Sequence, residues 1–412
     1  MRYTWQPRAQ WARGLPLYAI EFFGYCAAYA SPVVLGFAVI ATGGSASVVG
    51  LVLAADTLGM VAIVLVGGLV ADRVSRRRVV ILSEVTAAAA QAVAGLLLLG
   101  GVPPLPWLVL TQGLVGCSRG FLFPTMTSLV PSVVPSDRLQ AVNGILASAQ
   151  SVARLAGPAV AGLVVAAVGG HDAVWLLATL YAASATSASF LPGIRSDRPG
   201  RETSRLAELA AGWRSFRSRR WIWVTVAWFA FASALTQAPV LVLGPSIAAH
   251  RYGGAAAWGL VMGAGGAGAF VGGALAAVGR GRRSLRGAIA MYAVAALLPL
   301  ALGLSAPVAV LGASAVVGGV AAGYFSATWF TVFQQNVPTK VMSRTSAWDW
   351  LLSLSVLPLC MITVPSVADR VGNETTIVAA AAAAVLITVL AGAARSVAIT
   401  VRRTEHRAAD LS

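Results

Sequence analysis

The chain is divided into twelve apolar stretches separated by short polar turns, and their repeated length constrains the fold more than any other feature. A hydrocarbon core about 30 Å thick is crossed by about 20 apolar helical residues. Hydrophobic residues make up 58% of the 412, and charged residues 11%, against about 25% charged in an ordinary globular domain. Spans are predicted at Leu15–Ala41, Val48–Ala71, Val79–Gly100, Trp107–Val130, Leu139–Val168 and Ala173–Leu191, then at Trp221–Ala249, Trp258–Gly279, Leu285–Leu304, Pro307–Phe333, Thr345–Val367 and Thr375–Ala394. Arg2, Arg8 and Arg13 precede the first span, and no short apolar region with a small-residue cleavage site follows them, so that span is read as a membrane helix and not as a signal peptide.

A net charge of +16 would suggest nucleic acid in a soluble chain. Of the 30 basic residues, however, Arg251 and Arg370 fall on one side of the predicted membrane and Arg119 and Arg154 inside it, leaving 26 on the other side. That asymmetry predicts a multi-pass cell-membrane protein with both termini cytoplasmic. Its basic residues meet anionic lipid headgroups, with no nucleic-acid partner. Cys26, Cys117 and Cys360 lie within spans without metal-ligand spacing. No metal or other cofactor is expected, and no role falls to the isolated His171, His250 and His406.

Between the sixth and seventh spans the composition changes. Residues 193–220 carry eight arginines, and Leu206, Leu209, Ala210, Trp213 and Phe216 recur at helical spacing. This predicts a linker with an amphipathic helix on the cytoplasmic membrane surface. The chain is thus expected to comprise residues 1–192 as one six-helix bundle, 193–220 as linker, and 221–412 as a second bundle with a basic tail. The halves look like copies. Gly68-x-x-x-Asp72-Arg73-x-x-Arg76-Arg77-Arg78 after span 2 is echoed by Gly273-x-x-x-Ala277-Val278-x-x-Gly281-Arg282-Arg283 after span 8. Val134-Pro135-Ser136-Asp137 before span 5 is echoed by Val337-Pro338-Thr339-Lys340 before span 11. Two bundles with a cleft between them, and a site near the bilayer midplane, are the architecture of a secondary transporter.

These residues, with Pro124, Pro131, Arg154, Gly157, Pro158, Gly162, Arg344, Ser346, Trp348, Asp349, Trp350 and Pro358, resemble the major facilitator superfamily. Within it the chain is similar to drug and siderophore exporters of the enterobactin-exporter and macrolide-efflux kind. The resemblance implies an all-α membrane fold of twelve helices in two pseudo-symmetric six-helix bundles. It implies a gating motif at Gly68, Asp72, Arg73, Arg76 and Arg77 that meets span 11, and an antiporter-type bend at Arg154, Gly157, Pro158 and Gly162. It also implies that spans 1, 4, 7 and 10 line the cleft.

An ionised side chain near mid-bilayer costs about 2.5–3.5 kcal/mol, so it is paired, protonated or facing a wet cavity. Glu21, Asp56 and Arg119 are therefore proton-coupling candidates. By depth Glu21 and Arg119 form the expected pair, either as a switchable proton site or as a fixed ion pair, and Asp56 is a proton- or cation-binding acid. Glu84 lies less than two turns from the arginines after span 2. Asp349 either caps the start of span 11 or meets the arginines of the gating motif. Tyr25, Tyr29, Trp228, Tyr324 and Trp329, with Gln237, are candidate cleft residues for a small amphipathic or cationic substrate, or are packing. Gly263-x-Gly265-x-x-Gly268 lies inside a span with no strand before it and is read as helix packing and not as a dinucleotide site.

A single lysine, Lys340, and no phosphate-binding loop argue against ATP hydrolysis. No nucleophile–base constellation suggests an enzyme. The expected activity is proton-coupled export of a drug, antibiotic or siderophore by a monomer. The alternatives are proton-coupled import of a small metabolite, or a membrane sensor of the same fold. Asp72 stands at a helix C-terminus, where the dipole disfavours it by about 0.3–1 kcal/mol, and its second-half counterpart is Ala277. A latch on one side of the pseudo-repeat follows. Asp72→Asn is expected to bias the protein toward its cytoplasm-open state, read as increased labelling of cysteines introduced on the cytoplasmic side of the cleft.

Overall fold

The structure is a computed structural model that describes residues 7–71, 75–99, 105–134, 138–191, 205–278, 284–394 and 397. Its elements are α1 (Pro7–Ala41), α2 (Ala46–Ala71), α3 (Arg76–Leu99), α4 (Leu105–Val133), α5 (Leu139–Val168), α6 (Gly170–Ser189), α7 (Arg205–Ser218), α8 (Arg220–Arg251), α9 (Ala255–Val278), α10 (Leu285–Tyr292), α11 (Leu297–Gly303), α12 (Val308–Asn336), α13 (Thr339–Val371) and α14 (Asn373–Ala393). Among the described residues there is no strand, as expected where lipid cannot satisfy open backbone groups. Ten helices or helix pairs are long and apolar enough to cross a membrane. The other two crossings are α4, which carries Arg119, and α6, which is rich in Ser and Thr; each joins spans that end on opposite sides.

Span 9 departs from a single helix. A 3₁₀ turn at Ala293–Ala296 separates α10 from α11. Pro299 has no N–H for the carbonyl of Ala295, and the turn before it tightens accordingly. In span 5, by contrast, α5 continues as one helix through Pro158.

The packing repeats between the halves. In the first half α2 packs on α4, α1 on α5 and α6, and α3 on α4 and α6. In the second half α9 packs on α12, α8 on α13 and α14, and the α10–α11 span on α12 and α14. The halves meet where α5 lies against α9 and α2 against α13, and these two contacts are pseudo-symmetric equivalents. Two six-helix bundles are thereby built on one plan.

Buried apolar residues are unevenly shared between the bundles. On the side away from the N-terminus one core runs through both, from Val33, Val52, Leu98 and Val165 to Leu243, Trp258, Leu311 and Val364. On the terminal side the core splits. Leu17, Ile20, Val80 and Leu129 cluster within the first bundle, and Ile222, Leu285, Phe325 and Val332 within the second. Among the described residues, the apolar core is shared at the far end and divided between the bundles toward the termini.

Contrary to the expectation of a helix on the membrane surface, α7 docks on the second bundle. Phe216 is 2% exposed within the second bundle's core. Trp213 stacks on Phe216 and lies 4.9 Å from the ring of Trp348 in α13. The Thr345 hydroxyl donates to Ser215 Oγ at 2.8 Å.

The far-end seal depends on glycines. A Cβ at Gly259 would collide with the Pro158 carbonyl and stand 2.8 Å from the Gly162 Cα, and one at Gly36 would stand 2.7 Å from Pro245 Cγ. Overpacking such a contact costs about 1–3 kcal/mol. Gly259→Val is expected to loosen α5 from α9 and open the far end, measured as faster labelling of a cysteine placed at Val165 in a background lacking the native cysteines.

Candidate functional site

The first bundle collects the polar groups. Glu21, Tyr25 and Tyr29 follow one another at four-residue spacing on α1 and form one stripe. Opposite them, Gln150 and Arg154 are spaced in the same way on α5. The two stripes engage: Gln150 Nε2 donates to Glu21 Oε2 at 2.9 Å, and the Arg154 guanidinium lies 5.1 Å from the centroid of the Tyr29 ring. Tyr25 and Tyr29 stack at 5.9 Å. Gly157 lets α5 approach this closely, since a Cβ there would lie 2.9 Å from the Cys26 carbonyl oxygen.

Behind this row, Arg119 Nη1 contacts Asp56 Oδ2 at 2.6 Å, joining α4 to α2. The backbones reach this distance because Gly59, Gly116 and Gly120 line the α2–α4 contact. A Cβ at Gly116 would run into the Asp56 carbonyl, and one at Gly59 into that of Gly113. Each charge offsets the desolvation of the other, as an intramembrane ion pair requires. Only one carboxylate oxygen is used, and Asp56 Oδ1 is buried without a hydrogen-bond partner.

The sequence pairing of Glu21 with Arg119 is thus corrected. Helical depth placed Asp56 a turn away, but the glycine-lined α2–α4 contact brings Asp56 to the arginine and leaves Glu21 to the amide of Gln150.

Asp349 is also corrected. α13 begins at Thr339, so Asp349 lies in the helix interior and is not a cap. Its carboxylate accepts hydrogen bonds from Trp329 Nε1 at 3.1 Å and from the Ser353 hydroxyl at 3.3 Å, and reaches no arginine among the described residues. Of the gating motif, Asp72 and Arg73 lie outside the described residues, and Gly68 is described only as part of α2. Arg76 opens α3, and Arg77 Nη2 donates to the Ser189 carbonyl, tying α3 to the end of α6.

Among the aromatic candidates, Tyr25, Tyr29 and Tyr324 are half-buried and Gln237 is exposed. Trp228 and Trp329 are each only 6% exposed. Trp228 donates to the Thr388 hydroxyl at 3.0 Å and packs edge-on against Tyr292 and Phe325. These two tryptophans are core residues of the second bundle. Gly162 and Pro158 meet Gly259 of α9, and Gly266 of α9 lies against the Arg154 carbonyl, so this segment is a seam between bundles. Gly265 and Gly268 face α12 while Gly263 faces α5, in keeping with the packing reading of that motif.

Sequence reasoning assigned no role to three groups that the fold brings forward. Gln150 holds Glu21. Gln91 and Gln112, both fully buried, exchange reciprocal hydrogen bonds of 3.1 and 3.3 Å between α3 and α4. Glu84 is 1% exposed, and neither of its oxygens has a hydrogen-bond partner. The signal for Glu84 was present: Val80, Ala87, Gln91 and Ala94 share its face of α3 and are buried with it.

The family model described as Major Facilitator Superfamily matches residues 17–355. No match is found among curated proteins. Solved structures of similar fold include a mutant of the nucleoside transporter NupG, with a TM-score of 0.75 at 15% identity over 92% of this chain and 98% of that one. They also include the peptide transporter POT in complex with sulfate (TM-score 0.73, 14% identity, 92% and 93% covered). A third is a bacterial homolog of the human lysosomal transporter Spinster in an inward-facing and unoccupied conformation (TM-score 0.72, 15% identity, 96% and 98% covered).

Removing one partner of a buried ion pair costs about 3–5 kcal/mol. Here the low end applies, because the Arg119 side chain keeps 28% of its exposure. Arg119→Gln is expected to lower the melting temperature in detergent, and the neutral double variant Asp56→Asn with Arg119→Gln to recover more than half of that loss.

Proposed function

The chain belongs to the major facilitator superfamily, and on that premise we propose that it is a proton-coupled exporter of small amphipathic molecules working by alternating access. The observation that carries the proposal is the Glu21–Gln150 contact beside the Tyr25–Tyr29 stack and Arg154. A carboxyl without a cationic partner among the described residues thus stands beside aromatic faces, and on this reading α1 and α5 present them to the interbundle cleft. A substrate with an apolar body and a polar or cationic group suits stacked rings and an acid. Protonation of Glu21 would remove the charge that such a substrate meets, so that proton and substrate compete for one wall.

The distribution of cores supports an alternating-access cycle. The far-end core is common to both bundles and the terminal-side cores are separate. With the basic residues of the termini and linker placed in the cytoplasm, this conformation faces inward. On this reading residues 1–192 and 221–412 are the two moving bundles, residues 193–220 are the linker, and a monomer suffices. The opposite face is reached by parting α5 from α9 at Gly162 and Gly259. The gating-motif contact would then close the cytoplasmic side.

The energetics suffice. One proton crossing about 100 mV supplies about 2.3 kcal/mol, and a hundredfold concentration ratio requires about 2.7 kcal/mol. A modest pH difference makes up the remainder. Purified protein in inverted-orientation proteoliposomes is expected to accumulate ethidium when an inside-acid gradient is imposed, and Glu21→Gln to abolish that accumulation. Accumulation of small metabolites driven by the opposite gradient would mark an importer instead. No gradient-driven movement across a panel of cationic and neutral amphipathic compounds would sink the exporter reading.

A further inference from the structure

Four carboxyls lie within the described membrane helices between the two faces, and their partners differ. Asp56 has a guanidinium, Asp349 has indole and hydroxyl donors, and Glu21 has an amide. Glu84 has none. It lies on the buried face of α3, where α3 packs on α6 and α4, and against the back of α1. A Cβ at Gly24 would stand 3.3 Å from Glu84 Oε1 and 3.8 Å from Ser184 Oγ of α6. The Ser184 hydroxyl beside it is turned to the Ile20 carbonyl, 3.3 Å away.

Gly24 and Tyr25 are consecutive, so α1 is a partition between two acids. Its Glu21–Tyr25–Tyr29 stripe faces α5, and its Gly24 face covers Glu84. The charged and titratable groups whose fields reach Glu84 are Glu21 of α1, Arg119 of α4 and Tyr181 of α6. Tyr181 is 2% exposed and also lies in the fields of Arg119 and Asp56. Among the described residues no cation is in contact with Glu84. An ionised carboxylate without hydrogen bonds in this compartment would bear its whole desolvation cost. The position nevertheless holds a carboxyl, and it stands where movement of one helix would alter its surroundings.

We propose that Glu84 is an occluded proton-binding site that carries a second proton per transport cycle, held while α1 covers it and exchanged when α1 shifts. This rests on the proton-coupled reading of Glu21 for its transport consequence, although the protonation itself is independent of that reading. The chemistry is the uptake of one proton from water by the carboxylate and its return to water. No other bond changes. Movement of α1 relative to α4 would change which charged groups face Glu84, and with them its hold on a proton.

Two measurements test this. In the first, the infrared carboxylic C=O band of the purified protein is compared between native and variant proteins at neutral pH. A protonated carboxyl band that is lost in Glu84→Gln and kept in Asp349→Asn supports the proposal, and a band unchanged in Glu84→Gln overturns it. Because a carboxyl neutral in this conformation is replaceable by a neutral side chain, Glu84→Gln and Glu84→Leu must both fold. Failure of both to assemble would mark Glu84 as a structural ion and overturn the proposal.

The second measurement is the steady ethidium ratio that proteoliposomes sustain. Loss of one of two coupled protons lowers that ratio about fiftyfold at about 100 mV, while downhill exchange persists. A lost infrared band with an unchanged ratio would leave Glu84 a structural acid and overturn the coupling. Absence of ethidium movement in the native protein refutes the exporter reading, and the infrared result still decides the protonation of Glu84.

Discussion

Close backbone contact at glycines is the constraint on which the rest of this structure depends. Lipid tails are as apolar as leucine, so helices in a bilayer gain little from hydrophobic burial against one another and associate through dispersion and polar contacts. Both require short distances. Gly59, Gly116 and Gly120 bring α2 to α4, and Gly268, Gly272, Gly319 and Gly323 bring α9 to α12 in the equivalent place. The same device seals the bundles against each other at Gly162 and Gly259. Within a bundle these contacts extend through the membrane, whereas the core shared by both bundles lies at the far end. That difference gives a transporter fold rigid halves and a separable seam.

The polar site follows from this packing. Asp56 and Arg119 lie on different helices, 63 positions apart in sequence, and meet at 2.6 Å because Gly116 admits the Asp56 backbone. With the arginine occupied, Glu21 has only the amide of Gln150. One strong pair therefore leaves a second carboxyl outside the ion pair. The neighbouring tyrosines and Arg154 extend that wall along α1 and α5. The second bundle differs in character: Trp228, Tyr292, Phe325 and Phe229 form a packed aromatic cluster, and its one deeply buried described acid, Asp349, is held by Trp329 and Ser353. The asymmetry of charge sits on a symmetric helical frame.

The fold was largely legible in the sequence, because span length and charge placement are imposed by the bilayer. Every crossing helix falls where an apolar stretch predicts one, with span 9 interrupted at a proline-induced 3₁₀ turn. The linker helix was legible as amphipathic but not as docked, since an apolar face fits lipid or protein equally well. Phe216 and Trp213 found α13. The candidate site was legible as a set of residue types, while its pairings were not. Depth along a helix fixes the height of Glu21, Asp56 and Arg119 but not their azimuth, and the packed orientation of α2 and α4 selected Asp56. Trp228 and Trp329 were ambiguous for the same reason.

What the sequence determined by itself, then, is the number of crossings, the two-fold repeat, the side carrying the positive charge, and the presence of acids and bases at membrane depth. These follow from period, length and composition, which act on each segment independently of the others. The tertiary structure decided which acid meets the arginine, which tryptophans join the second bundle's core, and that Glu84 is enclosed behind α1 with no hydrogen-bond partner among the described residues. Those outcomes depend on the rotation of each helix about its own axis, and that rotation is set jointly by all the close contacts a helix makes.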